Sequence, residues 1–273
     1  MKLPGVDALG SVGLVGERKA VALLCLGFYT TLFFMIGLSA RTELPEWLPV
    51  FVGMTAVYVT AFMGVAAEWF WGRWFATGLG YWGCTMAIMA FVTTRSLPAP
   101  MVIFGVMHAL ISVCLMGEKM AGVFDAKPEW RARWKLDDQG VLRVRRSVTR
   151  AASSLPALIM FALAPRENAG SFAVGWDFTA MLLGALAIAA LIGLLTSLRT
   201  WTVLTLAAVG VAVLAHLGTS TTAISDAHPF FQAVDGVPAA AFPFAGLFGG
   251  ALLIVAAVPF LAPIASFLRR RAG

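Results

Sequence analysis

The sequence predicts an all-α protein: a polytopic transmembrane helix bundle of about eight spans, N-in and C-in. Three observations carry this. Hydrophobic residues make up 60% of the chain and charged residues only 12%, roughly half the charged share of soluble domains. A water-soluble fold with that composition lacks the polar residues to cover its surface. The apolar residues gather into stretches of about 20, the length a helix rising ~1.5 Å per residue needs to cross a bilayer. Once those stretches are threaded through a membrane, 17 of the 20 Lys and Arg fall on one side.

The spans read as Ala20–Ala40, Leu48–Glu68, Phe75–Thr93, Pro100–Met116, Val148–Ala164, Phe178–Leu198, Thr202–Thr222 and Phe242–Phe267. Arg18 and Lys19 before the first, with Ser39-Ala40 at its end, imitate a signal peptide. The run is longer than the ~7–15 residues of a signal core, and Leu38 is too large for a cleavage site, so it reads as a retained span. The fifth stretch is short and carries Ser153, Ser154 and Pro156. Charge decides it. With it, the inner side holds Lys2, Arg18, Lys19, Arg73, the nine basic residues from Lys119 to Arg150, Arg199 and Arg269 to Arg271, against Arg41, Arg95 and Arg166 outside. Without it the split falls to 14 against 6, and short loops follow the basic bias. Net charge of +6 therefore reflects orientation and anionic lipid at the cytoplasmic face of a bacterial-type inner membrane rather than nucleic acid.

The longest inner segment, Gly117–Ser147, is too short to fold as an independent domain. Pro128–Trp134 reads as a short helix, with Trp130 and Trp134 on one face. Trp134–Leu136 and Val141–Arg145 alternate around Asp137-Asp138-Gln139-Gly140 as a small hairpin would. Arg131, Arg133, Lys135, Arg143, Arg145 and Arg146 are expected to meet anionic lipid or a partner there. Small residues four apart, Ala180/Gly184, Ala208/Ala212 and Gly246/Gly250, let helices approach closely, within this chain or across to a membrane-protein partner or second copy. Cys25, Cys84 and Cys114 all fall in spans and are expected to be packing residues. Trp47, Trp69, Trp71, Trp74, Trp176 and Trp201 fall near span ends, as an interfacial aromatic belt does.

Ionisable residues inside spans are expensive and so are functional candidates. They are few: His108 in mid-span, His216 towards an outer end, and Glu68 closing the second span. No span interior holds Lys or Arg, which excludes a retinal Schiff base and a voltage sensor. His108 with His216 would be an axial pair for a heme. His216, Asp226, His228 and Asp235, with Asp177 nearby, carry donors suited to a transition metal, although Ser225-Asp226-Ala227-His228-Pro229 reads equally well as a helix cap. Glu68, Arg73 and Phe104-Gly105-Val106-Met107-His108 resemble the first two motifs of the CAAX-prenyl-protease-like intramembrane family, a resemblance that makes Glu68 and His108 catalytic candidates. The sequence departs from the family pattern at Trp69, where the second glutamate belongs, and at Ser220, where an Asn follows the later His. No hydrolase elbow, zinc-protease helix, phosphate loop or dinucleotide glycine pattern occurs. The expectation is a non-enzymatic membrane protein without a cofactor, either the embedded subunit of a larger assembly or a small-solute permease. The competing expectation is an enzyme using His108 or the His216/Asp226/His228 set with metal or heme.

Overall fold

The computed structural model describes residues 15–94, 99–134, 137–167, 174–197, 200–219, 223–224, 241–262 and 265–266. They form ten α-helices: α1 (Val15–Glu43), α2 (Leu48–Ala66), α3 (Gly72–Thr94), α4 (Ala99–Leu115), α5 (Glu118–Phe124), α6 (Pro128–Trp134), α7 (Asp138–Leu163), α8 (Phe178–Ser197), α9 (Thr200–Thr219) and α10 (Ala241–Ala257). Short 3-10 turns precede α2 and follow α10. Three two-residue strands, β1 (Arg166–Glu167), β2 (Val174–Gly175) and β3 (Ala223–Ile224), make a scrap of antiparallel sheet in the order β2-β1-β3.

Five segments are long and apolar enough to cross a bilayer: α1, α2 with its leading turn, and most of α3, α8 and α9. The pair α4 and α5, bent by 76°, adds a sixth if the two helices count as one span. The bend falls at Gly117, whose φ of 99° lies in the left-handed region that side chains avoid. The chain is a multi-pass integral membrane protein. Its exterior agrees: Leu24, Phe28, Ile88, Ile103, Leu186, Ile192 and Val211 are all exposed, an apolar belt that water would not tolerate and lipid requires.

Helix directions follow from contacts. Arg18 at the start of α1 donates to the carbonyls of Val113 (3.0 Å) and Met116, and Lys19 pairs with Glu68 beyond the end of α2 (2.8 Å). Arg73 at the start of α3 pairs with Asp125. The start of α1, end of α2, start of α3 and end of α4 therefore share one end of the bundle, the basic end. At the far end Arg166, after α7, and His216, late in α9, both reach Asp177 before α8. Ser147 and Arg150, early in α7, donate to the carbonyls of Ala256 (2.6 Å) and Val255 (2.9 Å), late in α10. Neighbours in sequence run up and down in alternation.

The stretch least apolar in sequence lies in the middle of the molecule. Every residue of α7 from Ala151 to Ile159 is buried, because α2, α3, α8 and α10 all pack around it. A helix with no lipid-facing side needs small residues more than long apolar ones, so Ser153 sits buried, donating to the Gly78 carbonyl at 2.8 Å. Small-residue faces elsewhere close onto the same core. A Cβ on Gly184 would stand 2.6 Å from that of Ala162, and one on Gly246 would stand 2.8 Å from Leu217. Gly250 approaches the Gly210 carbonyl. Cys25, Cys84 and Cys114 are unbridged.

Two sequence readings are corrected. There is no hairpin across Trp134–Arg145. Asp137 caps α7 by accepting the Gly140 N–H at 2.7 Å, and Val141, Val144 and Val148 bury one face at helical spacing. Five alternating residues satisfied both periods, and the cap with a core beneath it selected the helix. Nor do all the tryptophans form an interfacial belt. Trp47 and Trp74 are buried, whereas Trp69, Trp176 and Trp201 are about half exposed. Trp74 meets Trp130 and Phe70 edge to face, and Phe70 stacks on Trp130 at 4.5 Å. With Met120 and Phe124 also buried, the segment of α5 and α6 is folded under the bundle as part of its core.

Candidate functional site

His108 lies fully buried on α4 among rings from α1 and α2. Its Nδ1 stands 2.8 Å from the Phe104 carbonyl and its Nε2 2.6 Å from the Tyr58 hydroxyl. A carbonyl can only accept, so Nδ1 carries the proton and Nε2 of the neutral ring accepts from Tyr58. Tyr29 lies 4.3 Å from the imidazole, ring to ring, and donates to the same Phe104 carbonyl at 3.3 Å. Both imidazole nitrogens are thus satisfied within the bundle. Chain composition held a signal for this: there are only three tyrosines, and a tyrosine inside a span needs a partner for its hydroxyl.

The other sequence candidates lie elsewhere. Glu68, whose backbone is left-handed (φ 53°), holds Lys19 and also meets Lys127, which donates to its carbonyl at 3.1 Å. The Lys19 hydrogen bond, helped by both ammonium charges, keeps its carboxyl below the usual carboxylate range against partial burial. Glu68 and His108 share no contact, so the two residues of the protease-like resemblance are not brought together. His216 belongs to a different cluster from His108. Its Nε2 is 2.5 Å from Asp177, beneath the edge of Phe161. Asp226, His228 and Asp235 lie outside the described residues. Among the described residues, no three His, Cys, Asp or Glu side chains gather as a metal would need.

Asp177 is the hub of the far end. It accepts the Ala180 N–H at 3.0 Å, capping α8, and meets His216 and Arg166, the latter at 3.7 Å. Arg166 also donates to the Phe161 carbonyl at 2.7 Å. Burial alone would raise the Asp177 carboxyl, but the Ala180 N–H, His216 and Arg166 together hold it below its ordinary value. A depressed pKa contributes stability that is complete above the unfolded carboxylate value, about 4, and is lost as pH falls through the folded one. The gap in thermal stability between the wild type and Asp177→Asn should narrow as pH falls from about 5 towards 3. A gap that does not change with pH would show that the carboxylate charge is not what joins α7, α8 and α9.

At the basic end the charges sort into two kinds. Arg73 is buried and spent within the fold: Nε and Nη2 take both oxygens of Asp125, and Nη1 donates to the Leu115 carbonyl at 3.2 Å. Arg131 ties the Asp125 carbonyl (2.9 Å) to Asp138 (2.9 Å), and Arg143 reaches only Gln139. The side chains of Arg133 and Lys135 lie outside the described residues. Arg145 and Arg146 pair with no carboxylate among the described residues, and both face a cavity of about 640 Å³. Arg150 lines it too, its guanidinium on the Val255 carbonyl.

That cavity lies within the ~300–1,000 Å³ of small-molecule sites. Its floor is α7, with Arg145, Arg146, Thr149, Arg150 and Ser153; one wall is α3, from Arg73 to Thr85; the other is Phe248 and Leu252 of α10. Helix α7 separates α3 from α10, which meet at Trp82 and Phe248, 5.7 Å apart. Twelve residues separate Arg73 from Thr85, so the groove runs ~18 Å along α3, more than half a bilayer core. The lining contains no carboxylate. Burial, then the charge of Arg73, pushes the Arg145 guanidinium below its ordinary value, with Arg146 adding to the effect and the Asp125 carboxylate opposing it; that carboxylate is itself held by Arg73. Sequence reading named Arg145 and Arg146 as contacts for anionic lipid or a partner; that they face a recess depends on α7 being one continuous helix from Asp138. Comparison with known families, curated proteins and solved structures finds no match for this chain.

Proposed function

We propose that the chain is an eight-span, N-in and C-in protein of a bacterial-type inner membrane and works as a non-enzymatic permease, taking an anionic ligand into the arginine-lined groove from the cytoplasmic side. The observation that carries the reading is the groove itself: Arg145, Arg146 and Arg150, without carboxylate partners among the described residues, line a recess that runs ~18 Å along α3. The alternation of helix directions supports the eight-span threading. In it α7 runs from the basic end to the far end, as the fifth span must, and α10 returns to the basic end. The glycine faces that would serve a subunit interface are occupied inside the chain, which favours a lone permease over an embedded subunit. An enzyme based on His108 would have to break the Tyr58 contact first.

Single cysteines at Thr42, Asn168 and Gln232 of a variant lacking the native three test the threading. All three positions are outside under eight spans and should react with an impermeant thiol reagent on intact cells. Reaction at Thr42 with silence at Asn168 and Gln232 would remove the fifth span and the topology with it. The same protein, purified in mild detergent, should run without a stoichiometric partner. A constant second chain would overturn the lone permease.

A further inference from the structure

We infer that the ligand of the groove is an amphiphile with an anionic phosphate head, the phosphate seated among Arg145, Arg146 and Arg150 and its chain lying along Tyr81, Phe248 and Leu252. This rests on reading the groove as the ligand site and names the class of ligand. The polar end is rich in donors. Beside the three guanidiniums, the side chains of Thr77 and Thr149 line the recess. A phosphate neutralises the arginines, whose planar forks match it. A carboxylate supplies two oxygens where a phosphate supplies three or four, and the groove offers more donors than two oxygens can accept.

The chemistry changes along the groove. Within two turns of α3 the lining passes from Arg73 and Trp74 through Thr77 to Tyr81, opposite Phe248 and Leu252 on α10. Thr85 and Ser153 also line this part, but Tyr81, Phe248 and Leu252 offer an acyl or isoprenoid chain a surface that a wholly hydrophilic anion would leave unused. The flank of the groove also lies at lipid depth. Tyr81 is 42% exposed, and α3 and α10 close on each other only higher up, at Trp82 and Phe248. A lipid of the cytoplasmic leaflet already has the required orientation, head at the basic end and chain towards the bilayer centre, so it enters sideways without reorienting.

The test uses the full-length protein, purified and delipidated in detergent, with native mass spectrometry and thermal shift as readouts. The probes are phosphatidylglycerol, phosphatidylcholine and inorganic phosphate. Phosphatidylglycerol should bind at one molecule per chain and stabilise. Arg145→Gln/Arg146→Gln should weaken that binding by about tenfold or more, while Arg143→Gln, off the groove, leaves it unchanged. Among the described residues Arg145 and Arg146 form no ion pair, so the double variant should stay monodisperse. Arg145→Lys/Arg146→Lys, which keeps the charge, should restore part of the affinity and show that the loss is not misfolding. Inorganic phosphate at millimolar concentration should not displace the lipid. If phosphate binds alone and displaces phosphatidylglycerol, the amphiphile is wrong and the groove remains an anion site for a soluble ligand. If phosphatidylcholine binds equally, or the double variant binds as the wild type does, the lipid is annular and the inference fails. If neither anion binds, the groove is no ligand site and the permease reading falls with it.

Discussion

Asp125→Ala should cost about 3–5 kcal/mol of stability, because it strands the Arg73 guanidinium in a buried site. Arg73 is 5% exposed and Asp125 7%, so the guanidinium has little water to take the place of the lost carboxylate. The effect should spread beyond the pair. Asp125 holds Arg73 of α3 through its side chain and Arg131 of α6 through its backbone, and Arg73 in turn holds the last turn of α4 through the Leu115 carbonyl. Loss of the carboxylate frees the segment of α5 and α6 from the bundle, uncovering Met120, Phe124 and Trp130, so limited proteolysis should cut between Gly117 and Asp137 in the variant and spare the wild type. Replacing both partners with apolar residues of similar volume, Arg73→Met with Asp125→Leu, should recover most of the loss in thermal unfolding, because no charge is left without a partner. A double variant as damaged as Asp125→Ala would mean that the geometry of the pair matters more than its desolvation.

The class of the protein was legible in the sequence because the bilayer imposes length and composition directly: α1, α2, α3, α8 and α9 stand where apolar stretches of about 20 residues stand. What sequence reading lost was lost for physical reasons. The helix with the poorest apolar signal, α7, is the central one, since hydropathy reports contact with lipid and α7 touches helices on all sides. A hairpin was read at its start because alternation over five residues cannot be told from an i, i+3 face without knowing what lies beneath. Trp47 and Trp74 were placed at interfaces because sequence gives depth along a span and not the direction a side chain faces. His108 was singled out as a mid-span group needing a partner, and that partner is Tyr58, 50 residues away on another helix. Pairings of that kind, Arg73 with Asp125 and Asp177 with His216 among them, depend on helix packing and leave no local signature. The groove is the extreme case, since its lining is drawn from α3, α7 and α10 and exists only once α7 has separated the other two.

Gly80→Ala and Gly83→Ala should both destabilise, and for reasons that a second mutation can separate. Helices α3 and α4 cross so closely that Gly80 faces backbone: a Cβ there would lie 2.7 Å from the His108 carbonyl oxygen and 2.1 Å from Ser112 Oγ. Ser112→Ala removes only the second clash. Gly80→Ala should therefore lose about 3 kcal/mol, near the top of the usual range for overpacking, and the loss should persist in the double variant. Gly83 faces a side chain instead. Its Cβ would lie 2.0 Å from Cγ of the His108 ring, so accommodating it means swinging the imidazole away from Tyr58 and the Phe104 carbonyl, leaving buried polar atoms without partners. There a partner change can help: Gly83→Ala with His108→Ala and Tyr58→Phe removes both the clash and the stranded hydroxyl, and should be more stable than Gly83→Ala alone despite the space it opens. Thermal unfolding of the purified variants measures both cases. Rescue at Gly80 by Ser112→Ala, or no rescue at Gly83, would mean that α3 and α4 are free to shift apart. Rigidity at this crossing is what the groove requires, because the same helix α3 that meets His108 through Gly83 carries Trp74, Thr77 and Tyr81 along the groove wall.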